Sequence, residues 1–275
     1  MIKQITAFLF ALSLWTLTFS AKADVLILTH GYLGSATSWE YSGVVPILVA
    51  NGWQRAGILQ TGPGGVQELP APGQTAKNKI YLIELPSAAP LGVQADYLAP
   101  MISMLTTRHP KERFILVGHS VGGVVLRLAM VRRQIPTPLA LITLASPHLG
   151  TPRAEQALDA TNDVWPIEIV KEFFGGDSYQ TLKFSRGLYL DIVRQYPGSR
   201  LFWLNNQPHP DTRYFSLVRS TPFVMGDILV PGPSQDMNNI PALRGRAKTH
   251  IVAGGHELAY PDGFILNSLL KDLSK

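Results

Sequence analysis

One stretch constrains this chain more than any other: Phe114-Ile115-Leu116-Val117-Gly118-His119-Ser120-Val121-Gly122-Gly123. Its first four residues are apolar, β-branched at Ile115 and Val117, and read as a buried strand. A helical pattern starts directly after Ser120 and runs to Gln134, where Pro136 and Pro138 forbid continuation. Gly118-x-Ser120-x-Gly122 is therefore a strand-turn-helix with a serine at its tip. A serine on so sharp a turn takes strained dihedrals, and the backbone two residues to either side passes close enough that only glycine escapes a Cβ clash. The turn lifts the hydroxyl above the sheet, and the helix N-terminus behind it favours negative charge. A five-residue pattern with two free positions is common by chance. The strand before it and the helix after it are what make Ser120 a candidate nucleophile.

The remaining chain reads as one α/β domain. At 275 residues it is long enough to bury a large core. Residues 1–23 are set aside as an expected signal peptide: Lys3 supplies a positive start, Ile5 to Phe19 an apolar run, and Ala21-Lys22-Ala23 a small-residue cleavage site. The domain then spans 24–275, and export to a periplasm or the exterior is the expected destination. Cleavage removes two lysines and no acid from a chain of formal charge +5, and the basic residues left are scattered. No electrostatic footprint for nucleic acid remains. The chain has no cysteine, which excludes disulfides, thiolate nucleophiles and cysteine zinc sites.

Val25–Thr29, Ile80–Leu85, Phe114–Val117 and Leu139–Leu144 read as strands alternating with helices at 38–50, 92–108 and after Ser120. Such alternation implies right-handed βαβ units and a mostly parallel sheet. Ser38 is a possible cap of the first helix. Pro100 kinks or starts the second, whose apolar face includes Tyr97, Leu98, Met101, Ile102 and Leu105. Residues 57–78 hold many Gly and Pro and read as a surface loop or loose hairpin. The alternation breaks over 152–199, where helical patterns (Ala154–Ala160, Pro166–Phe174, Tyr179–Tyr196) predict an inserted cap over the sheet edge. Trp165, Ile167, Ile169, Val170, Phe173 and Phe174, followed by Gly175-Gly176, read as a mobile lid or equally as a fixed cap. Strands resume at 214–218 and 249–253, and a last helix covers about 262–273.

A serine hydroxyl needs an imidazole to take its proton and a carboxylate to orient that imidazole. His256, in Gly254-Gly255-His256 just past the last strand, lies at the edge where such sheets place catalytic groups. His250 enters that strand from the opposite end and reads as structural; His109 and His209 read as solvated. His119 shares the serine's turn with its side chain directed away from the hydroxyl, and His30 braces the loop after the first strand. Asp227 follows the 214–218 strand and gives the order Ser120, Asp227, His256. Asp236 and Asp211 are its rivals. An oxyanion would meet the backbone N–H of Val121 and that of Tyr32, in His30-Gly31-Tyr32-Leu33-Gly34.

Taken together, Thr29-His30-Gly31 with Gly34, Gly118-His119-Ser120-Val121-Gly122-Gly123, Ser146-Pro147-His148-Leu149-Gly150-Thr151, and Asp227 with Val230-Pro231 resemble the α/β-hydrolase superfamily, in particular bacterial triacylglycerol lipases and esterases. The resemblance implies the α/β-hydrolase fold, a mostly parallel sheet flanked by helices with a helical cap or lid. It implies a short sheet lacking the first two strands of larger members. It implies Ser120, Asp227 and His256 as a triad with Tyr32 and Val121 as oxyanion donors. The expected activity is hydrolysis of a carboxylic, lipid ester through an acyl-enzyme. A thioesterase, amidase or acyltransferase using the same triad is the alternative, and a non-catalytic binding protein a third reading. No cofactor is expected and no metal ligands are assigned. The expected partners are a small-molecule or lipid ester and a transient lipid interface, with no nucleic acid; the oligomeric state is left open.

Overall fold

The computed structural model describes residues 23–73, 76–160, 178–222 and 225–274. The signal peptide expected over 1–23 and the apolar stretch at 165–176 lie outside them, apart from Ala23. In chain order the strands are β1 (Asp24–Thr29), β2 (Trp53–Gly62), β3 (Gly65–Pro70), β4 (Asn78–Glu84), β5 (Arg113–His119), β6 (Ala140–Leu144), β7 (Arg213–Ser220) and β8 (Ala247–Ala253). Among the described residues they form one sheet in the order β3-β2-β4-β1-β5-β6-β7-β8. Every pairing is parallel except that of β2 with β3.

Helices cover both faces, as a parallel sheet requires of strands buried on two sides. On one face lie α1 (Ser38–Tyr41), α2 (Val44–Ala50) and α10 (Tyr260–Leu273), packing Trp39, Val45, Leu48, Leu266 and Leu270 onto Leu26, Leu28, Ile115 and Val117. On the other lie α3 (Leu91–Arg108) and α4 (Val121–Val131), with Leu98, Met101, Val124 and Leu128 against Val25, Ile27, Tyr81 and Leu116. Between β6 and β7 the described residues form α5 (Pro152–Ala160), α6 (Ser178–Phe184), α7 (Arg186–Ile192) and α8 (Arg200–Asn206), of which α5, α7 and α8 add to that second core, and α9 (Gly232–Gln235) follows β7.

Several expectations need correction. The sheet is not short: of the two readings of the Gly/Pro-rich region the hairpin is the one that forms, as β2 and β3, and β2 joins β4 in parallel to extend the sheet edge beyond β1. The helix expected over 38–50 is two, because Gly43 at φ +82° breaks it. Ser38 does not cap it; Thr37 stands at the cap without a side-chain bond, and the Ser38 hydroxyl instead accepts the Ser35 N–H. Pro100 lies inside a single helix α3, and Tyr97 stays outside its buried face. The segment 179–196 breaks at Ser185 into α6 and α7.

Candidate active site

Five loops leave the C-terminal ends of β1, β5, β6, β7 and β8 along one edge of the sheet, and all five line one cavity at Ser120. Ser120 has φ +51° and ψ −129°, a conformation rare for a side-chain-bearing residue, and its N–H donates to Leu144 O at 2.8 Å. The flanking glycines are there for room. A Cβ at Gly118 would overlap the backbone of Gly123, and one at Gly122 would overlap the His30 carbonyl oxygen.

His256 reaches this turn from the loop after β8. Its Nε2 lies 2.9 Å from Ser120 Oγ, and its Nδ1 lies 3.0 Å from Asp227 Oδ2. Asp227 also accepts the N–H groups of Leu229 (2.8 Å) and Val230 (2.7 Å) through Oδ1. Burial pushes its carboxyl up, but the His256 hydrogen bond and charge and those two N–H donors outweigh burial and hold it below the usual carboxylate range. The carboxylate is thus ionised and committed to one face of the imidazole. With Nδ1–H donated to Asp227, Nε2 is left to accept the serine proton.

Tyr32 and Val121 line a cavity of about 520 Å³ together with Ser120 and His256. Val121 is the first residue of α4, so its N–H points out of the helix N-terminus. The same cavity is walled by Pro147, Thr151, Arg153, Ala154, Tyr189 and Ile192 from the connection between β6 and β7, and by Leu229 and Val230 after β7. Both rivals of Asp227 lie elsewhere. Asp236 accepts the Thr249 hydroxyl and the Asn238 N–H, and Asp211 is exposed beside Arg246 at 3.7 Å.

The other histidines depart from expectation in two cases. His109 is buried against the Tyr81 hydroxyl at 2.9 Å, and His209 is buried 3.4 Å from Arg127, so neither is solvated. The His119 side chain is engaged by His256: its Nε2 lies 2.8 Å from the His256 carbonyl oxygen, and the two rings are 5.2 Å apart. Burial, and next the charge of His256, push His119 down to about 3, so it is neutral and donates Nε2–H to that carbonyl. His30 does brace its loop, accepting the Leu85 N–H at 3.1 Å and contacting Gly31 O at 3.0 Å. His250 lies within β8, its ring stacked on Phe215.

Two supports had no sequence signal. Gln235 Nε2 donates to Asp227 Oδ2 at 3.0 Å, sharing that oxygen with His256. Arg219 and Asp262 form a fully buried bidentate pair at 2.6 and 2.8 Å, and Arg219 Nη2 holds the Glu257 carbonyl at 3.0 Å. The loop bearing His256 is therefore pinned on either side of its peptide. Eight residues separate Gln235 from Asp227 and 43 separate Arg219 from Asp262, with no periodicity to link them. Among the described residues no cluster of metal-ligating side chains occurs, and no helix is long and apolar enough to cross a membrane.

The family described as "PGAP1-like alpha/beta domain" matches residues 88–172, which carry the Ser120 turn. The GPI inositol-deacylase of Candida albicans is 38% identical over 69 residues, 24% of this chain and 18% of that protein. The chain thus spans less than a fifth of that relative's length. Two solved structures align along most of both chains. The product of gene lin2722 from Listeria innocua is 17% identical with a TM-score of 0.58, covering 91% of this chain and 92% of that one. The mature lipase BlEst2 of Bacillus licheniformis is 16% identical with a TM-score of 0.58, covering 93% of each. At such identities the likeness speaks for the fold alone.

Proposed function

This chain has the α/β-hydrolase fold, and we propose that it is a serine hydrolase cleaving carboxylic esters of lipids. The observation that carries the reading is the imidazole of His256, 2.9 Å from Ser120 Oγ on one side and 3.0 Å from Asp227 on the other. Neutral His256 takes the Ser120 proton as Oγ attacks the acyl carbon. Asp227 stabilises the imidazolium that forms, and the N–H groups of Tyr32 and Val121 meet the developing oxyanion. The imidazolium then protonates the departing alkoxide. Water, deprotonated by the same imidazole, releases the acid from the acyl-enzyme and restores Ser120.

A lipid ester is favoured by the walls and the mouth. Ala154, Tyr189, Ile192, Leu229 and Val230 give the cavity an apolar wall beside Thr151 and Arg153, and its lining leaves Leu33 46% and Tyr41 89% exposed. An exposed apolar rim is tolerable where a lipid surface covers it during turnover. The name of the yeast relative, a deacylase acting on an inositol, supports an acyl ester of a hydroxylated alcohol. Export belongs to the same proposal. Cleavage after Ala23 would leave Asp24, the first residue of β1, as the N-terminus, its carboxylate held by Arg113 at 2.7 and 3.0 Å.

The test is a fluorophosphonate probe together with p-nitrophenyl esters of rising chain length, a thioester, an amide and emulsified triglyceride. Labelling on Ser120 that vanishes in Ser120→Ala, with esters cleaved fastest, is the expected result. An unlabelled protein inert toward every substrate would sink the proposal.

A further inference from the structure

The oxyanion loop is held at two places, and the second lies in the cap. At its root, His30 accepts the Leu85 N–H, and the Gly34 N–H closes a turn onto Gly31 O at 3.1 Å. Between them Leu33 sits at φ +53°, a left-handed conformation that an exposed leucine does not choose unaided. The loop's shape is therefore imposed by its neighbours. At its tip the Tyr32 hydroxyl lies 2.5 Å from that of Tyr189 and 3.0 Å from Ser185 Oγ. The Ser185 hydroxyl donates to Thr181 O at 2.8 Å, so its proton is spent there. Tyr32 donates to Ser185, and with that proton placed the Tyr189 hydroxyl is the donor to Tyr32. The two rings meet edge-on with centroids 5.5 Å apart.

Helix α7, which carries Tyr189, is itself tied to the body of the fold. Asp191 Oδ2 accepts the Leu91 N–H at the start of α3 at 2.8 Å, and Oδ1 holds Arg200 Nε at 2.8 Å. The Thr151 N–H donates to Ile192 O at 2.9 Å, and Gly187 passes so near Pro90 that a Cβ would lie 2.8 Å from the proline ring. Tyr189 is buried, and a hydrogen bond in so dry a setting is strong and directional. Burial first, and the bond to Tyr32 next, push its phenol up, so it remains a donor at any working pH.

From this geometry we infer that Tyr189 is a positioning residue for the oxyanion hole. Its hydroxyl, with Ser185, fixes the Tyr32 side chain and through it the Tyr32 N–H. The cap would then be a working part of transition-state stabilisation as well as a wall of the cavity. The inference rests on the proposed serine-hydrolase reading.

The experiment compares the full chain with Tyr189→Phe, Tyr32→Phe and the double variant, each of which keeps ring volume and backbone. Wild-type turnover of a p-nitrophenyl ester and fluorophosphonate labelling at Ser120 come first; their failure would count against the parent reading and not against this one. Given an active wild type, either single variant should lose about tenfold in kcat with KM within about twofold. Affinity for an alkyl boronic acid, which forms a tetrahedral adduct on Ser120, should fall by the same factor, while inhibition by the planar product acid stays unchanged. The double variant should lose no more than either single one. A kcat and boronate affinity within twofold of wild type would overturn the inference. So would additive losses, or losses shared equally by boronate and product acid. Should Tyr189→Phe fail to fold, Ser185→Ala beside Tyr32→Phe separates the two bonds of the Tyr32 hydroxyl: a loss in Tyr32→Phe that Ser185→Ala does not reproduce belongs to Tyr189, and an equal loss in both overturns the inference.

Discussion

Gly31 and Ser120 stand so close that a Cβ on residue 31 would lie 2.7 Å from the Ser120 Cβ and 3.2 Å from its Oγ. Neither partner has slack: the serine is held in its turn by the Leu144 carbonyl and the glycine by the His30 brace. Gly31→Ala must therefore displace the oxyanion loop or the serine. A misplacement of about 1 Å costs roughly a hundredfold in rate, so kcat/KM should fall by about that factor while the melting temperature changes little. Near-wild-type turnover by the purified variant would show that the loop can yield.

Asp227→Asn should cost about 10⁴ in turnover, the loss expected when a triad imidazole is held in the wrong tautomer. Asp236→Asn should leave turnover within a few-fold, because that carboxylate serves Thr249 and Asn238 instead of His256. Rates on one soluble ester decide between them. Comparable losses would move the orienting role away from Asp227.

His119 donates to the His256 carbonyl, so its removal should loosen the loop that delivers the imidazole. His119→Phe fills the space without a donor, and kcat should drop about fivefold, the worth of one hydrogen bond. His119→Gln keeps an N–H at similar reach and should recover most of the loss. If both variants behave alike, the hydrogen bond does not matter to turnover.

Acid should destabilise the fold below neutral pH. Burial pushes His119 down to about 3 and His209 to about 4, and it pushes His148 well below its ordinary value, all from 6.5. Each is a base with a lowered folded pKa, so between 6.5 and that lowered value the unfolded chain binds a proton the folded one refuses. Stability is then fully present above about 6.5 and lost as pH falls, by about 1.4 kcal/mol per pH unit for each such group. Melting temperatures measured from pH 7.5 to 5 should fall, and His209→Gln should flatten the slope. An unchanged slope in that variant would mean His209 is protonated in the fold.

What could be read from the chain was local. The Ser120 turn was legible because strand, glycine spacing and helix all lie within about twenty residues, and the clashes that demand glycine occur within that turn and against the next loop. Asp227 and His256 could be put forward because both follow strands whose ends a parallel sheet brings to one edge. The β2–β3 hairpin was legible only as one of two readings of its Gly- and Pro-rich pattern, and its place in the sheet was not legible, since that depends on β4 offering an edge to pair with. His109 and His209 looked solvated because a polar residue at a helix end or between prolines usually is. Tyr81 and Arg127, distant in sequence, are what bury them. The same holds for Gln235 against Asp227, Arg219 against Asp262, and Tyr189 against Tyr32, the last pair 157 residues apart. Backbone propensity and steric spacing act over a few residues and leave a mark in the sequence. Hydrogen bonds between side chains carried to one place by the sheet leave none, because any of many donors and acceptors could have met there, and tertiary packing alone selects which do.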